Sequence, residues 1–291
     1  MLALACTAVA LFLVSGPIVR ASLGRSSVDE VERPLGPGGV ISLTLVVPTF
    51  FASTEEPRFE LTVKSLVQAA LANIPIVVID ASDESVRERL RATGAHVLRQ
   101  SRPGKKGVAL REGIEEALRL RSTPGHVIGT FEPEKLGMVF WMRKAADHLR
   151  RERLGIVVPG RERAQFETSY PKEQYHQESF ANLLIDSVAM PRGFPPGIDW
   201  TFGPVLFDAR LAHLWTRYTG TLWDAQVVPY VRAVLWHGAS IGGFSVPYSH
   251  PAIMRAEEEG KARWAKKRYE QLRLWAEVLP AELNATAEPA S

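Results

Sequence analysis

From Val40 onward the chain alternates short β-branched runs with stretches of helical spacing, and this alternation limits the folds open to it more than any other feature. "VISLTLVVP" is continuously apolar, as a strand buried on both faces requires, and "RFELTVKSLVQAAL" after it repeats apolar residues at helical intervals. The pattern then recurs: "IPIVVID" reads as a second buried strand, "ESVRERLRAT" as a helix and "AHVLRQ" as a third strand. A helix from Val108 to about Leu120 and the strand "HVIGTF" follow. Strand alternating with helix predicts a parallel α/β sheet with right-handed crossovers. Ligands of such sheets bind beyond the carboxyl ends of the strands, so those ends are where function is sought.

The second half is less regular. "GIVVPGR" and "PVLFDARL" read as strands, "QYHQESFANLLIDSVAM" as a helix, "PRGFPPGIDWTFG" as a loop held by prolines and "ASIGGFSVPYSHP" as a late strand. "TLWDAQVVPYVRAVLWHG" predicts a helix interrupted near Pro229. A charged helix is expected from Ala256 to Val278, its charges solvated and Trp264, Leu272 and Trp275 packed inward, with residues 279–291 a disordered tail.

With 46% hydrophobic and 23% charged residues over 291 positions, the composition is that of a globular protein. A net charge of +3, evenly spread, is too mild for a nucleic-acid partner. The one cysteine, Cys6, lies in the leader, which excludes an internal disulfide or a cysteine-held zinc site in the remaining chain. Residues 1–21 form an apolar leader whose stretch from Leu2 to Val14 is shorter than the roughly 20 residues of a spanning helix. Val19 and Ala21 are spaced for cleavage before Ser22, although a basic n-region is missing. The expectation is a signal peptide or weak anchor and a secretory or membrane-associated location, with a cytoplasmic one as the alternative. Residues 22–40, rich in Pro, Gly and charge, read as a linker to a domain over 41–278.

The strand ends carry polar residues: "PTFFASTEE", "DASDES" and "RQSRPGKKG". Asp80 could accept hydrogen bonds from a base or ribose, or cap the following helix. The turn Gly104-Lys105-Lys106-Gly107 precedes a helix, where free amides and ammonium groups can face a diphosphate; it also suits a plain solvated turn. "GTFEPEKL" delivers Glu132 and Glu134 on either side of Pro133 at the end of the fourth strand.

The order "VVPTF", "VVIDASDES", "RPGKKGVALREGIEEAL" and then an acidic pair resembles the family two glycosyltransferases, strongly over residues 41–135 and more loosely to about 255. The resemblance implies a GT-A fold: a Rossmann-like, mostly parallel central sheet flanked by helices, with a nucleotide-binding half at 41–135 and an irregular acceptor half at 136–278. It places Pro48, Thr49, Asp80 and Ser82 in the nucleotide turns, Lys106 and Arg111 on the diphosphate side, and Glu132-Pro133-Glu134 in the position of the family's DxD motif. In an extended segment Glu132 and Glu134 share a face, so that together they offer oxygen ligands to Mg²⁺ or Mn²⁺. His250 stands where such enzymes often complete the metal or diphosphate site, although a lone histidine is as readily structural. Two departures stand out: glutamate for aspartate, and Lys135, which could pair with Glu134 or bind phosphate in place of part of the metal's charge.

Asp224 matches the carboxylate that serves as catalytic base in the family's acceptor half, and a helix N-cap explains it as well. Glu178, Asp199 and Asp208 are the alternatives for a base. Arg161, Arg163, Tyr170, Gln174, Glu178, Trp200 and Gly203 are candidates for the acceptor wall. The activity implied is inverting transfer of a sugar from a UDP- or GDP-sugar to a hydroxyl of a carbohydrate, lipid or small-molecule acceptor, with a divalent cation on the diphosphate. Competing readings are a non-catalytic nucleotide-sugar or carbohydrate binding module with a degenerate acidic motif, and a sugar-nucleotide pyrophosphorylase. The latter class carries its glycine-basic turn directly after the first strand, where this chain has "VVPTFFAS".

Overall fold

The computed structural model describes residues 41–286 with the exception of Ser122; the leader, the linker to residue 40 and the tail beyond 286 lie outside the described residues. The first half alternates as the sequence predicts: β1 (Leu43–Thr49), α1 (Pro57–Leu71), β2 (Ile76–Asp80), α2 (Glu84–Arg91), β3 (His96–Arg99), α3 (Lys106–Leu120), β4 (Val127–Thr130) and α4 (Met138–Arg151). The second half adds β5 (Ile156–Arg161), α5 (Arg163–Ser169), α6 (Lys172–Ala189), β6 (Val205–Asp208), α7 (His213–Arg217), α8 (Asp224–His237), β7 (Ile241–Val246), α9 (Ala252–Glu258) and α10 (Ala262–Asn284).

The strands form one sheet of order β3-β2-β1-β4-β6-β5-β7. β1, β2, β3 and β4 are mutually parallel, as are β5 and β7, and β6 alone runs antiparallel to both its neighbours. The sheet is buried on both faces. Leu43, Leu45 and Val47 of β1 point into one core with α1 and α4, while Val46 joins Val77, Ile79 and Ile128 in a second core under α3, α8 and α10. This two-sided burial is why the strands read as unbroken apolar runs.

Four differences from the sequence-based expectation have plain causes. The reversal of β6 follows from the path of the chain: after β5 it passes through α5, α6 and a proline-rich loop that ends again at the carboxyl edge, so the next strand must run away from that edge. α8 continues through Pro229. The ring costs one helical hydrogen bond, which burial of residues 224–233 between neighbouring elements offsets. The charged helix is two helices, α9 and α10, separated at Gly260, whose φ of +69° is a left-handed conformation that glycine adopts without strain. The segment 279–284 is not a disordered tail. It extends α10, with Leu279 and Leu283 buried in the second core and Glu282 accepting two hydrogen bonds from Arg232 at 2.7 and 3.0 Å.

Helix α3 lies unusually close to the sheet. A Cβ at Gly113 would stand 2.3 Å from Cγ1 of Val46 and 3.1 Å from Cγ1 of Ile79. Gly113→Ala is therefore expected to destabilise the protein by about 1–3 kcal/mol, as overpacking does. Chemical denaturation should show a lower midpoint with an unchanged slope.

Candidate functional site

The carboxyl ends of β1, β4 and β5 and the start of α3, together with α8, α9 and α10, enclose a cleft of about 390 Å³. Its lining holds seven lysine or arginine residues against four glutamates, a balance that favours an anionic ligand.

The turns after β1 and β2 are tightly organised. Pro48, Thr49 and Phe50 line the cleft, whereas Asp80 and Ser82 lie behind them. The Asp80 carboxylate accepts from Thr49 Oγ1 at 2.7 Å, Ser82 N at 2.9 Å and Ser82 Oγ at 2.9 Å, and Ser82 Oγ accepts from the Phe51 amide at 2.8 Å. With Asp80 fully buried and its oxygens engaged, its work is to fix the Thr49–Phe51 turn that faces the cleft. Arg111 is likewise spent away from the cleft, donating to the carbonyls of Tyr218 and Gly220 at 2.7 Å each. The Gly107 amide, at the start of α3, donates to Thr221 O at 3.0 Å. That amide is thus capped by the chain itself, and it is the Lys106 ammonium that reaches the cleft.

The acidic pair does not share a face. β4 ends at Thr130, and residues 132–135 form a β-turn closed by the Lys135 amide on Glu132 O at 3.1 Å, with Pro133 at its second position. The strand alternation that would align the two side chains no longer operates, and they part. Glu132 accepts from Lys106 Nζ and, at 3.1 Å, from Lys135 Nζ; Glu134 accepts from Arg58 Nη2. Lys135 thus bridges to Glu132 and not to Glu134. Burial acts to raise the Glu132 pKa, but the two ammonium charges outweigh it and hold the carboxyl well below the usual range. Burial is outweighed in the same way at Glu134, by Arg58. Lys106 Nζ also donates to Gln226 Oε1 at 2.9 Å, which ties α3 to α8 across the cleft floor. Gly203, φ +108°, lets the backbone pass Glu132: a Cβ there would stand 2.5 Å from Oε2.

On the other wall, Arg161 is a buried hub. It donates to Asp199 at 2.7 Å through both Nε and Nη2, to Glu178 at 2.6 Å and to Thr201 at 2.8 Å, with its guanidinium 3.6 Å from the centre of the Phe166 ring. Burial would raise the Asp199 pKa, but Arg161 brings it down to about 2. Tyr170, Gln174 and Glu178 join Arg161 in the lining, Gly203 does too, and Trp200 and Arg163 do not. Trp200 is in the second core, its indole donating to Asp186 at 2.7 Å. His250 lines the cleft, stacked on Tyr170 at 4.4 Å with Nε2 3.6 Å from Glu258; burial, then Lys135 and Arg161, push its pKa down to about 3.

Asp224 stands in the first turn of α8 but does not line the cleft. Its carboxylate accepts from Tyr218 Oη at 2.9 Å and from the Leu222 amide at 3.0 Å. Asp208, another candidate base, caps the turn after β6 by accepting from Arg210 N at 2.9 Å.

Sequence reasoning missed Arg58, Gln226, Glu258, Trp264, Lys267 and Arg268, all of which line the cleft. Four of these lie in the stretch read as one charged helix. The only local signal was Trp264 among charges, and it packs beside Arg58 and Lys267 rather than in the core.

No protein-family model matches the sequence, and no curated protein does. Solved structures do match in shape. Glucosyl-3-phosphoglycerate synthase from Mycobacterium tuberculosis, in complex with Mg²⁺ and uridine diphosphate, superposes with a TM-score of 0.53 over 85% of this chain and 81% of that one, at 15% identity. Mannosyl-3-phosphoglycerate synthase from Rubrobacter xylanophilus gives 0.55 over 85% and 77%, at 13% identity. A further mycobacterial protein gives 0.56 over 85% and 76%, at 14% identity. The fold is GT-A.

Within this GT-A cleft the expected metal ligands, Glu132, Glu134 and His250, do not form a cation site. Each glutamate is engaged by lysine or arginine, and no group of three His, Cys, Asp or Glu able to hold a metal occurs among the described residues.

The other wall of the cleft rests on the Arg161 hub. Asp199→Ala would leave a buried guanidinium short of its two-pronged partner, and is expected to lower stability by about 3–5 kcal/mol. Urea denaturation of the variant beside the parent protein measures this directly.

Proposed function

We propose that the protein is a glycosyltransferase that moves a sugar from a nucleoside-diphosphate sugar, UDP- or GDP-linked, to an acceptor hydroxyl with inversion. The observation that carries the reading is the cationic cleft at the carboxyl edge of a GT-A sheet, with Lys106 and Lys135 beside the turn that follows β4. The nucleoside would lie against Pro48, Thr49 and Phe50, whose turn Asp80 and Ser82 hold in place. The acceptor would enter beside Tyr170, Gln174 and Glu178. Glu132 and Glu134 act in this reading through the cations they hold, and no step passes through a metal ion.

A base must come within hydrogen-bond reach of the acceptor hydroxyl. Asp224, the carboxylate matched by the family resemblance, has both oxygens engaged and is not in the lining, whereas Glu258 lines the cleft with its pKa raised by burial. These facts support Glu258 for the role. A carboxyl whose pKa is raised is a stronger proton acceptor when ionised.

Titration calorimetry with UDP, GDP and their sugars, followed by donor turnover with and without acceptor, tests the reading. At least one nucleotide should bind, and the corresponding sugar donor should be consumed. A protein that binds a donor and never consumes it is the non-catalytic binding module. Glu258→Gln should lower transfer by roughly a hundred- to ten-thousand-fold while nucleotide binding holds. Asp224→Asn, whose amide oxygen can still accept from the Leu222 amide while its NH2 donates to Tyr218 Oη, should retain most of the parental rate. The reverse pattern would return the base to Asp224.

A further inference from the structure

Beside Glu132 and Glu134, Lys106 and Lys135 share one carboxylate and Arg58 takes the other. Lys267 reaches the same cleft from α10, close enough that Arg58, Glu134 and Lys106 all act on its charge. Its contact is the face of Trp264, 4.7 Å from the ring centre, not a carboxylate. Glu258, paired with Arg268 at 3.3 Å, acts on Lys267 as well, so five cations stand against three carboxylates, an excess of two positive charges. The surroundings work against them: the protein mass about Lys267, and then Arg58, bring its pKa down to about 8, while its side chain stays open to the cleft mouth. A group that relieves this repulsion must be anionic. A sugar diphosphate, with about one negative charge on each phosphoryl group, matches the excess in size and sign.

We infer that Lys106, Lys135 and Lys267 bind and neutralise the diphosphate directly, in place of a divalent cation. The inference rests on the nucleotide-sugar reading of this cleft and deepens it. Lys135 is the pivot. Its ammonium is held by Glu132 on one side and lies 5.3 Å from the Phe202 ring on the other, so it is fixed in place before any ligand arrives. Lys106 is fixed likewise by Glu132 and Gln226. Glu132 therefore orients two ammonium groups instead of coordinating a metal. On departure of the nucleoside diphosphate, the charge developing on its terminal phosphoryl oxygen would be met by these ammonium groups as hydrogen-bond donors. The acceptor oxygen bonds the anomeric carbon and its proton passes to Glu258, while the electron pair of the broken sugar–oxygen bond leaves with the phosphoryl oxygen.

The test is calorimetric titration of inorganic pyrophosphate, UDP and GDP into the full chain in EDTA, and again with excess Mg²⁺ or Mn²⁺. Binding of pyrophosphate and of a nucleotide in EDTA is expected, with less than a threefold change in Kd when metal is added. Lys135→Gln and Lys267→Gln should each weaken binding by roughly tenfold or more, the loss of a charge-assisted contact. Affinity should also fall steeply as salt is raised. Lys267, on the open side of α10, provides a variant whose melting temperature should stay at the parental value even if Lys135→Gln is destabilised. Binding that appears only with metal, or tightens tenfold or more with it, overturns the inference and leaves the glycosyltransferase reading standing. Absence of binding in both conditions overturns both. Unchanged affinity in folded Lys135→Gln and Lys267→Gln places the diphosphate elsewhere and also overturns the inference.

Discussion

The double-sided burial of β1 and β4 governs the rest of the molecule. A strand with helices on both faces cannot bend toward solvent, so its end is fixed in space, and the turn that follows is positioned to within the tolerance of a packed core. Both cores meet at β1, where Val46 faces α3 and Leu45 and Val47 face α1 and α4. The absence of a side chain at Gly113 draws α3 against this strand. That approach sets where Lys106, at the first turn of the same helix, projects. The cleft is thus a consequence of close packing, since its principal cations stand on elements that the sheet leaves no freedom to move.

Electrostatics in the cleft follow from a few ion pairs taken out of bulk water. Lysines 106 and 135 on Glu132, Arg58 on Glu134, and Arg161 on Asp199 and Glu178 are all largely buried pairs. Pairs of this kind contribute little net stability, because the cost of desolvation nearly cancels the attraction. Their effect is to hold charged groups at fixed positions. Around Arg161 two carboxylates outnumber the one guanidinium, so that wall is rigid and carries no excess of positive charge. Around Lys106, Lys135 and Arg58 the cations are under-compensated. The asymmetry makes one end of the cleft more positive than the other, a difference that the proposed ligand, with its charged diphosphate and uncharged sugar, would match.

Much of the fold and part of the site were legible in the sequence, for reasons that differ by element. The apolar runs of β1, β2 and β4 identified themselves because burial on both faces leaves a continuous hydrophobic signature. Lys106, Glu132 and Glu134 were found because strand ends and helix starts are where ligands of such sheets bind, His250 was pointed to by the family resemblance, and all four line the cleft. Asp80, named by that rule, and Arg111 and Asp224, named by the resemblance, do not line the cleft. Each stands one layer behind the lining, and whether a side chain at a strand end or helix start turns inward or outward depends on partners distant in sequence. Thr49 lies 31 positions from Asp80, and Tyr218 and Gly220 lie 107 and 109 from Arg111. Glu258 and Lys267 were illegible for the opposite reason. A charged helix reads as solvated whenever nothing local marks the face that will be covered.

By itself, then, the sequence determined the alternation of strand and helix, the parallel sheet of the first half and the edge at which polar residues gather. These depend on local periodicity and on the steric rules of chain crossover, which neighbouring residues encode. Only the tertiary structure decided that β6 runs backward, that α9 and α10 fold their charges over the cleft, and that Pro133 turns the acidic pair apart so that each carboxylate meets a cation instead of its neighbour. Those outcomes depend on which long-range partners arrive at a given point. Charge, unlike hydrophobic periodicity, carries no record along the chain of where its partner will be.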